Sequence, residues 1–184
     1  MKLFLIHGAY GNPQENWFPW LKKELAALGY EVIAPSFPTP KNQSLENWMN
    51  VMKLHLKDID EETIFVAHSI APAFVLSVLE KINVKTKACF FVSGFIEKLD
   101  NEKFGIINKT FTGKEFDLEK IKQNCKEFIV YASDNDPYVP LIKTARLAKS
   151  IGGQLTIIPG AGHFNEKSGF TKFLKLRDDI LELR

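Results

Sequence analysis

Ser69 has the setting in this sequence that most invites chemistry. It sits in Ala67-His68-Ser69-Ile70-Ala71, directly after the β-prone run from Thr63 to Ala67. A serine hydroxyl is a weak nucleophile unless a base takes its proton during attack, and that base must itself be held by a third group. Two later stretches offer those groups: Asp134-Asn135-Asp136-Pro137-Tyr138-Val139-Pro140 and Gly160-Ala161-Gly162-His163-Phe164. Small residues on both sides of a serine let the next helix pack close to the strand, while the serine takes a strained turn with its hydroxyl exposed. The usual form of that turn is Gly-x-Ser-x-Gly. Here both flanks are alanine, so the packing argument holds with slight crowding. Taken singly, each residue has a plainer reading: a turn serine, a helix-capping or turn aspartate, a loop histidine. In the order serine, carboxylate, histidine they form a nucleophile, an orienting group and a base for attack on an acyl carbonyl. The residues alone leave Asp134 and Asp136 both open as the acid.

These groups need a scaffold that ends several strands at one place. Six short apolar runs read as strands: Lys2–Ile6, Glu31–Ala34, Thr63–Ala67, Ala88–Val92, Glu127–Tyr131 and Gln154–Ile158. Most are continuous rather than alternating, as strands covered on both faces of a parallel sheet are. Helical periods run from Trp17 to Leu28 before Gly29, from an N-capping Ser44 to Lys57, from Ile70 to Lys81, from Pro140 to Ser150, and from about Ser168 to Leu183. Strands alternating with helices predict an α/β fold. Ser69, the acid stretch and His163 then follow strands three, five and six, and His7-Gly8-Ala9-Tyr10-Gly11 follows strand one. Carboxyl ends of strands are where open α/β sheets bind ligands. Residues 94–124, with Phe95, Phe104, Phe111 and Phe116 among lysines, fit no such unit. They predict an insertion between strands four and five that covers the end of the sheet.

The 184 residues suit one domain, expected to span 1–184, and the 45% hydrophobic content suits a packed core. The net charge of +2 is spread without a basic block, which gives no footing for nucleic acid or an anionic membrane. The leading apolar run, Leu3 to Ile6, is too short for a signal peptide, and no stretch approaches a membrane span; a cytoplasmic protein is the expectation. Asn42-Gln43-Ser44 and Asn108-Lys109-Thr110 match the glycosylation pattern by chance on that view. Cys89 and Cys125 are far apart and predict neither a metal site nor a disulfide framework. Of the other histidines, His55 reads as solvated, His7 as bracing the first loop, and His68 as a mere spacer before the nucleophile.

His7-Gly8, the Ala67–Ala71 turn, Asp136-Pro137-Tyr138-Val139-Pro140 and Gly162-His163-Phe164 together resemble the α/β-hydrolase superfamily. Asn16-Trp17-Phe18-Pro19-Trp20-Leu21 and the short chain are similar to its small serine hydrolases of the retinoblastoma-binding-protein-9 type. The resemblance spans essentially the whole chain and departs from the superfamily pattern at the glycine-free turn. It implies a three-layer α/β/α sandwich with a six-stranded parallel sheet in the order 2-1-3-4-5-6. It also implies a Ser69–His163–Asp136 triad, an oxyanion hole from the backbone N–H groups of Ala9 and Ile70, and no metal or organic cofactor. The pattern puts the acid shortly before Val-Pro, hence Asp136. Pro137 also steers Asp136 away from the helical region, leaving Asp134 to brace the loop locally. Tyr10, Trp17, Phe95 and Phe164 are candidates to line an acyl pocket, with core packing as the competing reading.

The leading expectation is a serine hydrolase of carboxylic esters, acting on a small-molecule acyl substrate. Its rival is a binding or regulatory module on a hydrolase scaffold, since a fold does not set a function; the sequence itself indicates no protein partner. An intact nucleophile, base and acid favour the enzyme, and a serine rather than an aspartate in the turn disfavours a dehalogenase-type hydrolase.

Overall fold

The structure is a computed structural model that describes residues 1–183. Its strands are β1 (Lys2–Ile6), β2 (Glu31–Ile33), β3 (Ile64–His68), β4 (Thr86–Val92), β5 (Cys125–Ala132) and β6 (Gln154–Ile157). They form one six-stranded sheet in the order β2-β1-β3-β4-β5-β6, parallel at every pairing. The helices are α1 (Phe18–Ala27), α2 (Leu45–Met52), α3 (Ala71–Leu79), α4 (Glu102–Ile107), α5 (Lys109–Thr112), α6 (Leu118–Gln123), α7 (Leu141–Ile151) and α8 (Leu174–Glu182).

Side chains alternate across each strand and feed two cores. Leu3, Leu5, Ile64, Val66, Phe90 and Val92 face α1 and α8, which contribute Phe18, Leu21, Leu25, Leu176 and Ile180. Phe4, Ile6, Phe65, Ala67, Phe91 and Val130 face the other layer, built from α2, α3, α6 and α7. Burying one side chain of Leu or Phe size is worth roughly 1.5–3 kcal/mol, so these two faces hold the sheet between its helices. α3 is buried along its entire length, which explains a sequence apolar on all sides. Cys89 and Cys125, distant in sequence, meet on β4 and β5 as free thiols 3.5 Å apart.

The differences from the sequence reading are local. The helix expected over 44–57 tightens into a 3-10 turn at Lys53–Asp58. The last helix starts at Leu174 rather than near Ser168, because Gly169 takes φ +82° and Phe170 and Phe173 turn inward against Phe164. Residues 94–124 are not wholly an insertion. α6 packs on β5 and α7 as an ordinary crossover helix, and only the part before it departs from the repeating unit.

The sheet order reverses between β1 and β3, so the chain leaves these neighbours toward opposite faces. That opens a crevice at their carboxyl ends. Gly8, just after β1, approaches Ser69 so closely that a Cβ there would lie 2.7 Å from Ser69 Cβ. Only glycine permits that approach.

Candidate active site

β3 ends at His68, and the chain turns at Ser69 with φ +64°, a left-handed conformation that side-chain-bearing residues rarely adopt. The turn is held by the Ser69 N–H, which donates to the Val92 carbonyl of β4 at 2.9 Å. α3 starts two residues later with Pro72 in its first turn, where a missing N–H costs nothing. Ala67 and Ala71 are both fully buried. The tight approach that glycines give at such turns is supplied instead by neighbours. Gly8 lies on one side. On the other is Gly94, where a Cβ would meet Pro72 Cγ at 2.7 Å and Leu147 Cδ2 at 2.8 Å.

His163 reaches the same crevice from the loop after β6. Its Nδ1 lies 2.8 Å from Asp136 Oδ2, and the other carboxylate oxygen of Asp136 accepts the N–H groups of Tyr138 at 2.9 Å and Val139 at 3.0 Å. Burial pushes the Asp136 carboxyl up. The His163 contact and the two amides outweigh it and hold the group below the ordinary carboxylate range. An ionised Asp136 can only accept, so Nδ1 of His163 carries the proton and donates it as a hydrogen bond, and Nε2 is left as the basic nitrogen. Asp134 is not part of this pair. It accepts the Gly160 N–H at 2.8 Å, and Asn135 accepts the Gly162 N–H at 2.7 Å. The acid loop thus braces the base loop on both sides of Ala161. The bracing by Asp134 crosses between loops and is not the local turn bond expected.

The loop after β1 is fixed by His7. Its Nε2 accepts the Phe37 N–H at 3.0 Å, which makes Nδ1 the protonated nitrogen and donor to the Gly8 carbonyl at 2.8 Å. Burial pushes the His7 imidazole below its ordinary range, against the raising effect of the Gly8 bond. The Tyr10 N–H is taken by Thr39 Oγ1 at 2.7 Å. By contrast, no acceptor takes the N–H of Ala9 or of Ile70 among the described residues. Two free amides therefore flank the serine, one of them at the N-terminal end of α3, where the helix dipole favours negative charge.

Ser69, His163, Ala9, Tyr10 and Phe95 line a cleft of about 680 Å³. Its wall is aromatic in sequence from the base outward. Tyr138 meets His163 edge-on at 5.1 Å, Phe104 meets Tyr138 at 5.5 Å, and Tyr10 meets Phe104 at 6.1 Å. Phe95, Leu99 and Phe104 bring the segment after β4 over the end of the sheet. Trp17 and Phe164, the other two pocket candidates, do not line the cleft. Both are fully buried in the layer beneath, where Trp17 Nε1 donates to the Phe164 carbonyl at 2.9 Å and Phe164 stacks on Phe173 at 5.3 Å. Sequence reasoning missed Tyr138 and Phe104 as wall residues. Tyr138 had a signal, its place inside the acid stretch; Phe104 had only its aromatic character within the covering segment. Among the described residues no group of three or more His, Cys, Asp or Glu could hold a metal ion, and no helix is long and apolar enough to cross a membrane.

The serine hydrolase family model matches residues 3–180. The putative hydrolase YdeN of Bacillus subtilis (strain 168) is 33% identical over 182 residues, covering 98% of this chain and 94% of that protein. The crystal structure of that ydeN gene product superposes with a TM-score of 0.93 at 32% identity, covering 99% of this chain and 97% of the other. Serine hydrolase RBBP9 of Rattus norvegicus is 28% identical over 170 residues, covering 90% and 87% of the two chains. A crevice lined by a serine on a tight turn and by a carboxylate-bound histidine thus stands beside a whole-chain match, and the chain belongs to the serine hydrolase family, on an α/β-hydrolase fold.

Proposed function

We propose that this hydrolase cleaves carboxylic esters of small acyl substrates through a Ser69–His163–Asp136 triad and an acyl-enzyme. The observation that carries the reading is the pairing of the left-handed turn at Ser69 with the His163–Asp136 hydrogen bond on one cleft. Ser69 Oγ attacks the ester carbonyl carbon while its proton passes to His163 Nε2. The carbonyl oxygen gains the negative charge and is met by the N–H groups of Ala9 and Ile70. Collapse of this intermediate expels the alcohol, which takes the proton from His163 and leaves the acyl group on Ser69. Water then attacks with His163 as base, and the acid is released. Asp136 keeps the imidazole in the tautomer that presents Nε2 and stabilises the imidazolium that forms. Each free amide supports the reading because an oxyanion donor is worth about 10²–10³ in kcat.

A fluorophosphonate probe tests it. The wild-type protein should gain one adduct mass, mapped to Ser69, and should hydrolyse a short p-nitrophenyl ester. Ser69→Ala should lose both while keeping its fold, since only a hydroxyl is removed. A folded wild-type protein that takes no label and hydrolyses no ester would overturn the proposal in favour of a binding module on this scaffold.

A further inference from the structure

The triad reading leaves His68 without a task, yet this histidine sits between the nucleophile and the base. It immediately precedes Ser69 and is buried to 5% exposure. Its Nε2 lies 2.8 Å from the backbone carbonyl of His163, and its ring lies 4.7 Å from the His163 ring at 43°. A carbonyl accepts only from a protonated nitrogen, so Nε2 of His68 is the N–H donor. The next carbonyl, that of Phe164, is taken by Trp17 Nε1 at 2.9 Å. Trp17 and Phe18 in turn box in the His68 ring edge-on, at 6.1 and 6.5 Å. Two consecutive carbonyls of the base segment are therefore gripped by two buried ring N–H groups. The segment itself is turned to allow this: Gly162 has φ +55° and Phe164 φ +50°, both left-handed.

Resting on the triad reading, we infer that His68 is a positioning residue that, with Trp17, clamps the backbone of His163 to the nucleophile turn. The clamp ties the base to the residue beside Ser69, so base and nucleophile move together and keep their separation through the two proton transfers. The His68 imidazole is suited to it. Burial, then the nearby His163, push it down to about 3 despite the hydrogen bond to the His163 carbonyl. It thus stays neutral, and it adds no second cation when His163 becomes an imidazolium.

The test compares His68→Phe, which keeps a ring and loses the donor, with His68→Gln, which places a carboxamide N–H near the position of Nε2. Misplacing a catalytic group by about 1 Å can cost 10²-fold. His68→Phe should lower kcat for a short p-nitrophenyl ester, and the rate of fluorophosphonate labelling, by about 10–100-fold, with KM within roughly twofold. His68→Gln should recover to within about fivefold of wild type. Amide hydrogen exchange over residues 162–165 should speed up in His68→Phe and not in His68→Gln. Trp17→Phe removes the other donor together with part of a buried ring; it should lose kcat in the same sense, with faster exchange over residues 162–165, which covers the case of a His68→Phe protein that does not fold. Wild-type kcat in His68→Phe, or a His68→Gln variant as impaired as His68→Phe, overturns the inference. A Ser69→Ala variant that keeps wild-type activity overturns the triad reading instead. The exchange measurement needs no turnover and still reads the clamp in that case.

Discussion

At the scale of single residues, two aspartates two positions apart do different work. Asp136 holds His163 Nδ1, and Asp134 holds the Gly160 amide. On the proposed triad, Asp136→Asn should lower kcat by about 10⁴, the loss expected when the acid no longer selects the tautomer. Asp134→Asn should cost roughly tenfold, through a looser loop. Kinetics of both variants on one ester separate them, and a larger loss at Asp134 would reverse the assignment. Asp136 and His68 both make stability fall on acidification, in different pH windows. The Asp136 carboxyl lies below its ordinary value in the folded protein, so its contribution is present above about pH 3.9 and fades as pH falls through the folded value. His68 is depressed to about 3 from 6.5. Below pH 6.5 the unfolded chain takes up a proton there that the folded chain refuses, so stability falls as pH drops toward 3. His68→Gln lacks that proton. Its thermal midpoint should therefore drop less between pH 7.5 and pH 5 than the wild-type midpoint does. Equal drops would show that His68 is not held neutral.

At the scale of elements, the active site is a matter of how closely two loops and one helix approach. β1 and β3 end side by side, and Gly8 accepts Ser69 where no Cβ fits. Gly8→Ala must move either the serine or the free Ala9 amide. On the proposed mechanism the expected result is a kcat loss of about 10²-fold or more, the effect of one misplaced oxyanion donor. Behind the turn, Gly94 accepts Pro72 of α3 and Leu147 of α7. Gly94→Ala overpacks that junction and should cost about 1–3 kcal/mol in urea unfolding. An unchanged midpoint would mean that α3 and α7 can shift apart freely, contrary to the burial of both.

At the scale of the whole molecule, the short segment after β4 decides the shape of the cleft. Phe104, at the start of α4, closes the aromatic wall between Tyr138 and Tyr10, and Lys103 Nζ sits 4.7 Å over the Tyr10 ring. Much of the rest of the cleft comes from the loops after β1, β3, β5 and β6. Phe104→Ala should therefore widen the site without touching the proposed triad. The ratio of kcat/KM for a bulky acyl ester to that for the acetate should rise about tenfold, within the range that a changed apolar contact provides. A ratio unchanged over a series of acyl lengths would mean that the acyl group does not pass this wall.

The six strands, the five helices outside residues 94–124, and the placing of His7–Gly11, Ser69, Asp136 and His163 after strands were legible in the sequence; α4, α5 and α6 were not. The reason is local. Continuous apolar runs and helical periods are properties of neighbouring residues, and each chemical group follows a strand in the same stretch that encodes that strand. Helix boundaries were less legible, because the last helix starts only after Gly169 and two phenylalanines whose inward turn depends on meeting Phe164. What only the tertiary structure decided are the contacts between distant stretches. Asp134 braces a loop 26 residues away, His68 holds a carbonyl 95 residues away, and Trp17 holds one 147 residues away. Trp17 and Phe164 have the same aromatic character as Tyr10 and Phe95, yet one pair packs below the sheet end and the other faces the cleft. A side chain's type states what it can bond or bury, and its own strand or helix states which way it points. Which partner stands opposite depends on how the sheet order brings separate loops together, and that is settled only when the whole chain packs.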